Sequence, residues 1–176
     1  RRAGAELMRH LVRAFSLAGI LLPAVSALPE KARRDYHDNP RYKTAISDGQ
    51  VLAEDQEYDL ALDAYAEANR VAGGKDKFCL RHIIELQIAN GDYDDAVATA
   101  ARFETLVVTP TEKAYAETSR GRAYFLKAEP EKSGASYDAS LLTKANDAFK
   151  AALTIEPKNA TALFQDGEVL THLGQM

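Results

Sequence analysis

The sequence predicts an all-α protein built from repeated helix pairs, and three observations carry that expectation. Gly and Pro are few, ten and six in 176 residues, while Ala and Leu recur at the spacing that lines one face of a helix. Apolar residues make up 46% of the chain, enough to bury a substantial core. A small set of residue types also returns 35 positions later, Tyr58 and Ala61 being followed by Tyr93 and Ala96. A period of about 20–50 residues marks stacked structural repeats.

The chain opens on an address rather than on a fold. From Met8 it reads MRHLVRAFSLAGILLPAVSA, with Arg9 and Arg13 ahead of an apolar run from Ala14 to Val25 and small residues at Ser26 and Ala27. This is the three-part layout of a secretory signal, so residues 1–27 are read as an N-terminal extension and signal peptide cut after Ala27. The protein is thereby expected to be exported, periplasmic or extracellular. The alternative is a membrane anchor left uncleaved at residues 14–27, although that run is shorter than the roughly 20 residues a bilayer span needs. No Cys follows the cut, which excludes a lipoprotein anchor. Either Met8 is the true initiator or the sequence is a piece of a longer one.

Residues 28–41 read as a linker or short helix, and the repeats follow over 42–176. The first unit, about 42–75, carries Gly49, Tyr58, Ala61, Tyr65 and Ala68 and ends at Gly73-Gly74. The second, about 77–110, centres on Asn90-Gly91-Asp92-Tyr93-Asp94-Asp95-Ala96 and has Ile84 where the others have glycine, which predicts a wider or shifted helix pair. The third, about 114–157, holds Gly121, Tyr124, Ala145, Phe149, Ala152 and Pro157. It opens behind Thr109-Pro110-Thr111-Glu112, a capping box with Pro at the first helical position. Gly121 and Gly167 stand 46 apart, and the excess falls at Glu129–Ser140, whose Ser, Pro, Gly and charge predict an inserted loop. A fourth unit, 160–176, begins at Ala160 and is incomplete. Its helix is apolar where terminal repeats normally turn a polar face outward, which implies that the natural protein continues past Met176.

At these residues the sequence resembles the tetratricopeptide repeat family and, with the signal segment ahead of it, a fragment of an exported bacterial member of that family. The match is carried by the helix–turn–helix junction Asn90–Ala96 and by the second helix Ala145–Pro157, and it covers about three quarters of the chain. The resemblance implies a right-handed superhelical solenoid of antiparallel helix pairs. In that arrangement Gly49, Gly121 and Gly167, with Ala61, Ala96 and Ala145, would let helix backbones approach. Tyr65, Phe103 and Phe149 would fill the space between pairs. The resemblance also implies a concave groove that binds peptides or protein segments. Carried over by register, the groove presents Lys43, Ile46, Gln50 and Glu54, then Phe78, Arg81, Glu85 and Ile88, then Tyr115, Thr118, Arg122 and Phe125, and last Phe164, Glu168 and His172. The competing reading of those aromatics is packing between repeats. Some relatives clamp a chaperone's terminal carboxylate with Lys, Arg and Asn, but Ile46, Gln50, His82, Tyr115 and Ser119 occupy those places here.

Other chemistry finds no support in the sequence. The formal charge of −4 hides an acidic body, since the first 27 residues hold four Arg and one Glu and leave 18 basic and 25 acidic residues. A body of net charge −7 without a basic stripe is not a nucleic-acid partner. The lone Cys79 can form neither an internal disulfide nor a CxxC pair and reads as a small buried hydrophobe. His82 and Glu85 share a helix face but are too few for a metal site. The run Asp92, Asp94, Asp95 suits a helix N-terminus and lacks calcium-loop spacing. Phosphate-loop, zinc-protease and nucleophile-elbow patterns are absent. The expectation is therefore a non-enzymatic scaffold for a protein or peptide, with no cofactor and no nucleic acid. Membrane contact would come only through an uncleaved signal segment, and the oligomeric state stays open. The alternative is the docking arm of a longer exported enzyme, for example with a thioredoxin-like domain beyond Met176.

Overall fold

A computed structural model describes residues 35–130 and 136–174. The expected signal segment, the first half of the linker at 28–41, part of the inserted loop and the last two residues lie outside the described residues. Among those described, a 3-10 turn at Tyr36–Asp38 precedes seven helices and no strand. They are α1 (Pro40–Glu54), α2 (Tyr58–Val71), α3 (Lys77–Asn90), α4 (Tyr93–Leu106), α5 (Pro110–Ala128), α6 (Ala139–Ile155) and α7 (Ala160–Gly174). Each helix packs on the next in sequence, and α5 also touches both α3 and α7. The odd-numbered helices therefore form one layer and the even-numbered helices the other.

Local sequence explains where each helix starts and stops. Asn39 caps α1 by accepting from the Arg41 N–H at 3.0 Å, with Pro40 at the first position, where its missing N–H costs nothing. After α2 the chain turns through Gly73 and Gly74 at φ 79° and 78°, left-handed conformations that a side chain would strain. Asp76 caps α3 by accepting from Cys79 N at 3.0 Å. Gly91 ends α3 in the same left-handed region. Asp94 and Asp95 fall in the first turn of α4, where negative charge meets the positive end of the helix dipole. At α5 the expected capping box is formed: Thr109 Oγ1 accepts from Glu112 N at 3.3 Å and donates to Glu112 Oε2 at 2.7 Å. Asp138 caps α6 through Ser140 N and Leu141 N. Pro157 follows α6 by two residues and cannot continue its ladder.

The expected close approach of backbones at the small residues is corrected by the packing. A Cβ on Gly49 would lie 2.9 Å from the Tyr65 ring, and one on Gly121 would lie 2.5 Å from the Phe149 ring. The glycines therefore seat an aromatic ring of the partner helix; both rings are fully buried, and Tyr65 also stacks on His82 of the next pair, as the expected filling between pairs requires. Ile84, buried in the middle core, has Ala100 at the corresponding place on its partner helix. The bulky residue has changed sides: Gly with Tyr, Ile with Ala, Gly with Phe. Phe103 takes up bulk one turn further along α4, at the place that Ala68 and Ala152 hold in the other pairs. Gly167 is different, with nothing near where its Cβ would be.

The stretched third unit is part loop and part helix. Helices α5 and α6 run to 19 and 17 residues, where those of the first two units have 14 or 15. The described ends of the loop meet where Asp138 N donates to the Ala128 carbonyl at 3.0 Å.

Candidate functional site

Two adjoining hollows open on the odd-helix layer between α3, α5 and the start of α7. One, of about 300 Å³, is lined by Arg81, Glu85, Phe103, Thr111, Glu112, Tyr115, Thr118, Ser119, Arg122, Glu156, Asn159 and Thr161. The other, of about 410 Å³, is lined by Lys77, Phe78, Arg81, His82, Glu85, Glu112 and Tyr115. They share Arg81, Glu85, Glu112 and Tyr115, so they are two parts of one groove.

Helical spacing puts these side chains together. Arg81 and Glu85 are one turn apart on α3, as are Tyr115, Ser119 and Arg122 on α5. The two helices then join across the groove. The Tyr115 hydroxyl donates to Glu85 Oε1 at 2.8 Å, and an Arg122 nitrogen donates to Glu85 Oε2 at 2.8 Å. Burial and the neighbouring Glu85 carboxylate push the Tyr115 hydroxyl well above the usual phenol range, so it stays protonated as a donor. The Arg81 guanidinium lies over the Tyr115 ring, 4.5 Å from its centroid, and Phe103 meets the same ring edge-on. At the groove's edge Lys77 pairs with Glu112 at 2.9 Å. The Thr109 hydroxyl and then Lys77 hold the Glu112 carboxyl below its ordinary range.

An aromatic wall adjoins this network. His82 stacks on Tyr65 at 4.7 Å between ring centroids and meets Phe78 edge-on at 4.4 Å. Burial, then the charge of Arg81, lowers the His82 pKa below its ordinary 6.5, so at neutral pH the ring is uncharged. Phe78 itself is 44% exposed.

The expected groove residues separate into distinct sets. Phe78, Arg81, Glu85, Tyr115, Thr118 and Arg122 all border the hollows. Thr118, however, is buried and its hydroxyl donates to the Ala114 carbonyl of its own helix, so it forms floor rather than contact surface. Ile88 is corrected outright: it is 5% exposed and belongs to the core between α3, α4 and α5. Lys43, Gln50 and Glu54 are exposed on α1, while Ile46 leans half-buried on the first core. Phe125 and His172 are covered by Tyr137, a loop residue stacked 4.0 Å from His172 and 6.1 Å from Phe125. On α7, Phe164 stands 69% exposed and Glu168 is half-buried.

The sequence reading passed over Lys77, Glu112, Glu156, Asn159 and Thr161 as lining residues. Lys77 and Glu112 are 35 positions apart, a repeat-length separation that could have signalled their pairing. Nothing comparable marks the other three, which reach the groove from the α6–α7 junction. Cys79 lies buried under α1, with its thiol pushed up to about 12 by burial and then by Asp76, which leaves it a protonated hydrophobe.

No family model matches this sequence, and no curated protein matches it either. Solved structures do. The chain is similar to the TPR domain of Arabidopsis OM64 at 16% identity and a TM-score of 0.57, over 74% of this chain and 95% of that one. It is equally similar to the second TPR domain of human RPAP3, determined in complex with the HSP70 peptide SGPTIEEVD. That match has 16% identity and a TM-score of 0.57 over 73% of this chain and 94% of that one. The fold is thus that of tetratricopeptide-repeat domains: an all-α solenoid of antiparallel helix pairs.

Proposed function

We propose that this chain is a protein-interaction scaffold that holds a peptide or protein segment in the groove of its odd-numbered helices. The observation that carries the reading is the continuous hollow between α3 and α5, with polar side chains already oriented by one another and Phe78 exposed at its rim. A few fixed polar groups set among aromatic surface suit an extended or helical segment. The likeness to a domain solved with a peptide bound supports the same class of ligand. The leader-like residues 8–27 favour an exported location, for which a mature N-terminus at Leu28, read by N-terminal sequencing, is the test.

The groove is tested by selecting dodecapeptides on the folded chain from a displayed random library and titrating them into isotope-labelled protein. Amide shifts concentrated on α1, α3, α5 and α7 are expected. Shifts confined to α2, α4 and α6, or no selected peptide at all, would remove the groove as the binding surface.

A further inference from the structure

We infer that the hollow walled by Phe78, Arg81, His82 and Tyr115 reads a single acidic residue beside an aromatic or large aliphatic one, within an internal stretch of the partner. This rests on the groove reading above and supplies the chemistry of the ligand.

The charge pairing isolates Arg81. Of the basic side chains that α3 and α5 contribute to the lining of the hollows, Lys77 is paired with Glu112 and Arg122 with Glu85. Arg81 has neither an ion pair nor a hydrogen-bond acceptor for its guanidinium among the described residues, although it is exposed at the centre of the groove. The Tyr115 ring covers one face of that guanidinium, and Tyr115 is fixed by Glu85 and Phe103. Stacking uses the face of the cation and leaves its in-plane N–H donors for a planar acceptor, which a carboxylate matches. The same hollow is lined by Glu85 and Glu112, whose charges are met by Arg122 and by Lys77, and by the rings of Phe78, the uncharged His82 and Tyr115, which offer apolar surface to the residue beside the acid.

Two further observations narrow the ligand. Among the described residues Arg81 is the one unpaired cation lining the hollows, enough for a single carboxylate, whereas a C-terminal acidic residue would bring two. A free C-terminus is therefore not required. Along the groove toward α7 the next hollow carries Glu156, which has no cation partner among the described residues and accepts only from Asn159 at 3.3 Å. A run of acids would meet it as a like charge, so the acid is followed there by neutral donors or a base.

The experiment uses a dodecapeptide library displayed with its C-terminus fused to the coat protein, selected on the whole chain. The selected peptides are then made acetylated, amidated and fluorescently labelled for anisotropy titration. Asp or Glu next to Phe, Tyr, Trp or Leu should be enriched. Arg81→Gln should weaken binding about tenfold, the scale of one charge-assisted hydrogen bond. Neutralising the peptide's acid should cost the same factor, and making both changes should cost no more than either, the signature of direct pairing. Arg81→Lys should keep most of the affinity, and selection on Arg81→Glu should enrich bases at that place. Circular dichroism melts check that the variants are folded. Peptides that shift groove amides without acid enrichment, or with additive effects of the two neutralisations, would overturn this inference and leave the groove reading standing. Failure to select any groove-binding peptide would overturn both.

Discussion

At the scale of single residues, the glycines give the sharpest expectations. Gly121→Ala puts a methyl against the buried Phe149 ring, which has no room to yield, and should destabilise the chain by about 1–3 kcal/mol in urea melts. Gly167→Ala meets nothing within reach and should stabilise by up to about 1 kcal/mol, the helix-propensity difference alone. Equal effects at the two sites would mean that ring seating is not what Gly121 is for. His82 gives a pH expectation. Its pKa is lowered on folding, chiefly by burial, so the unfolded chain binds its proton first as pH falls. Stability supplied by keeping the ring neutral is full above the unfolded value near 6.5 and is lost as pH falls from there through the folded value. Glu112 and Asp138, both lowered by hydrogen bonds, act in a separate and more acidic window below their ordinary 4.5 and 3.8. Thermal melts at pH 7.5 and 5.5 should show the fall in wild type and less of it in His82→Gln.

At the scale of helices, the second pair tests whether bulk can be exchanged across an interface. Ile84→Gly alone leaves a cavity, and Ala100→Phe alone overfills a buried place, so each should cost about 2 kcal/mol or more. Together they recreate the Gly–Phe arrangement of the third pair and should recover part of that loss. A double-mutant cycle with no coupling would show that the correspondence of Ile84 and Ala100 with Gly121 and Phe149 is coincidental. The same comparison explains why Ile84 looks like a departure in the sequence yet sits in a filled core. The interface conserves volume, and the sequence column records only one of its two sides.

At the scale of the whole described array, contacts run almost entirely between neighbouring helices. Stability in such an array is a sum over local interfaces, so the ends open more readily than the middle. Helix α7 buries only Ala162 and Val169, whereas α5 is held on both sides and buries eight residues. Hydrogen exchange should therefore be slowest in α3–α5 and fastest in α7, measured peptide by peptide. Uniform protection would indicate a single cooperative core instead. The hollows lie against the helices expected to exchange slowest, a base on which a ligand pays little ordering cost.

The sequence by itself was sufficient for the helix pairs, the cap at Thr109, the glycine stop at Gly73-Gly74 and the buried Cys79. Each depends on residues within a turn of one another or at a fixed repeat distance, and periodicity reports such relations directly. It also carried Arg81, Glu85, Tyr115 and Arg122 to one face, because register along a helix decides direction. Which side of a helix is covered is another matter. Ile88 stands in the groove register but sinks into the middle core, since α5 and α4 close over it. Phe125 and His172 share the register too, yet Tyr137 from the inserted loop stacks on them. The tertiary structure decided which charges cancel: Arg122 finds Glu85, and Lys77 finds the Glu112 that only its repeat-length separation hinted at, leaving Arg81 over a tyrosine ring. Such pairings depend on distances of a few ångströms between separate helices, and those distances follow from how the ring-and-glycine interfaces set the helices against each other.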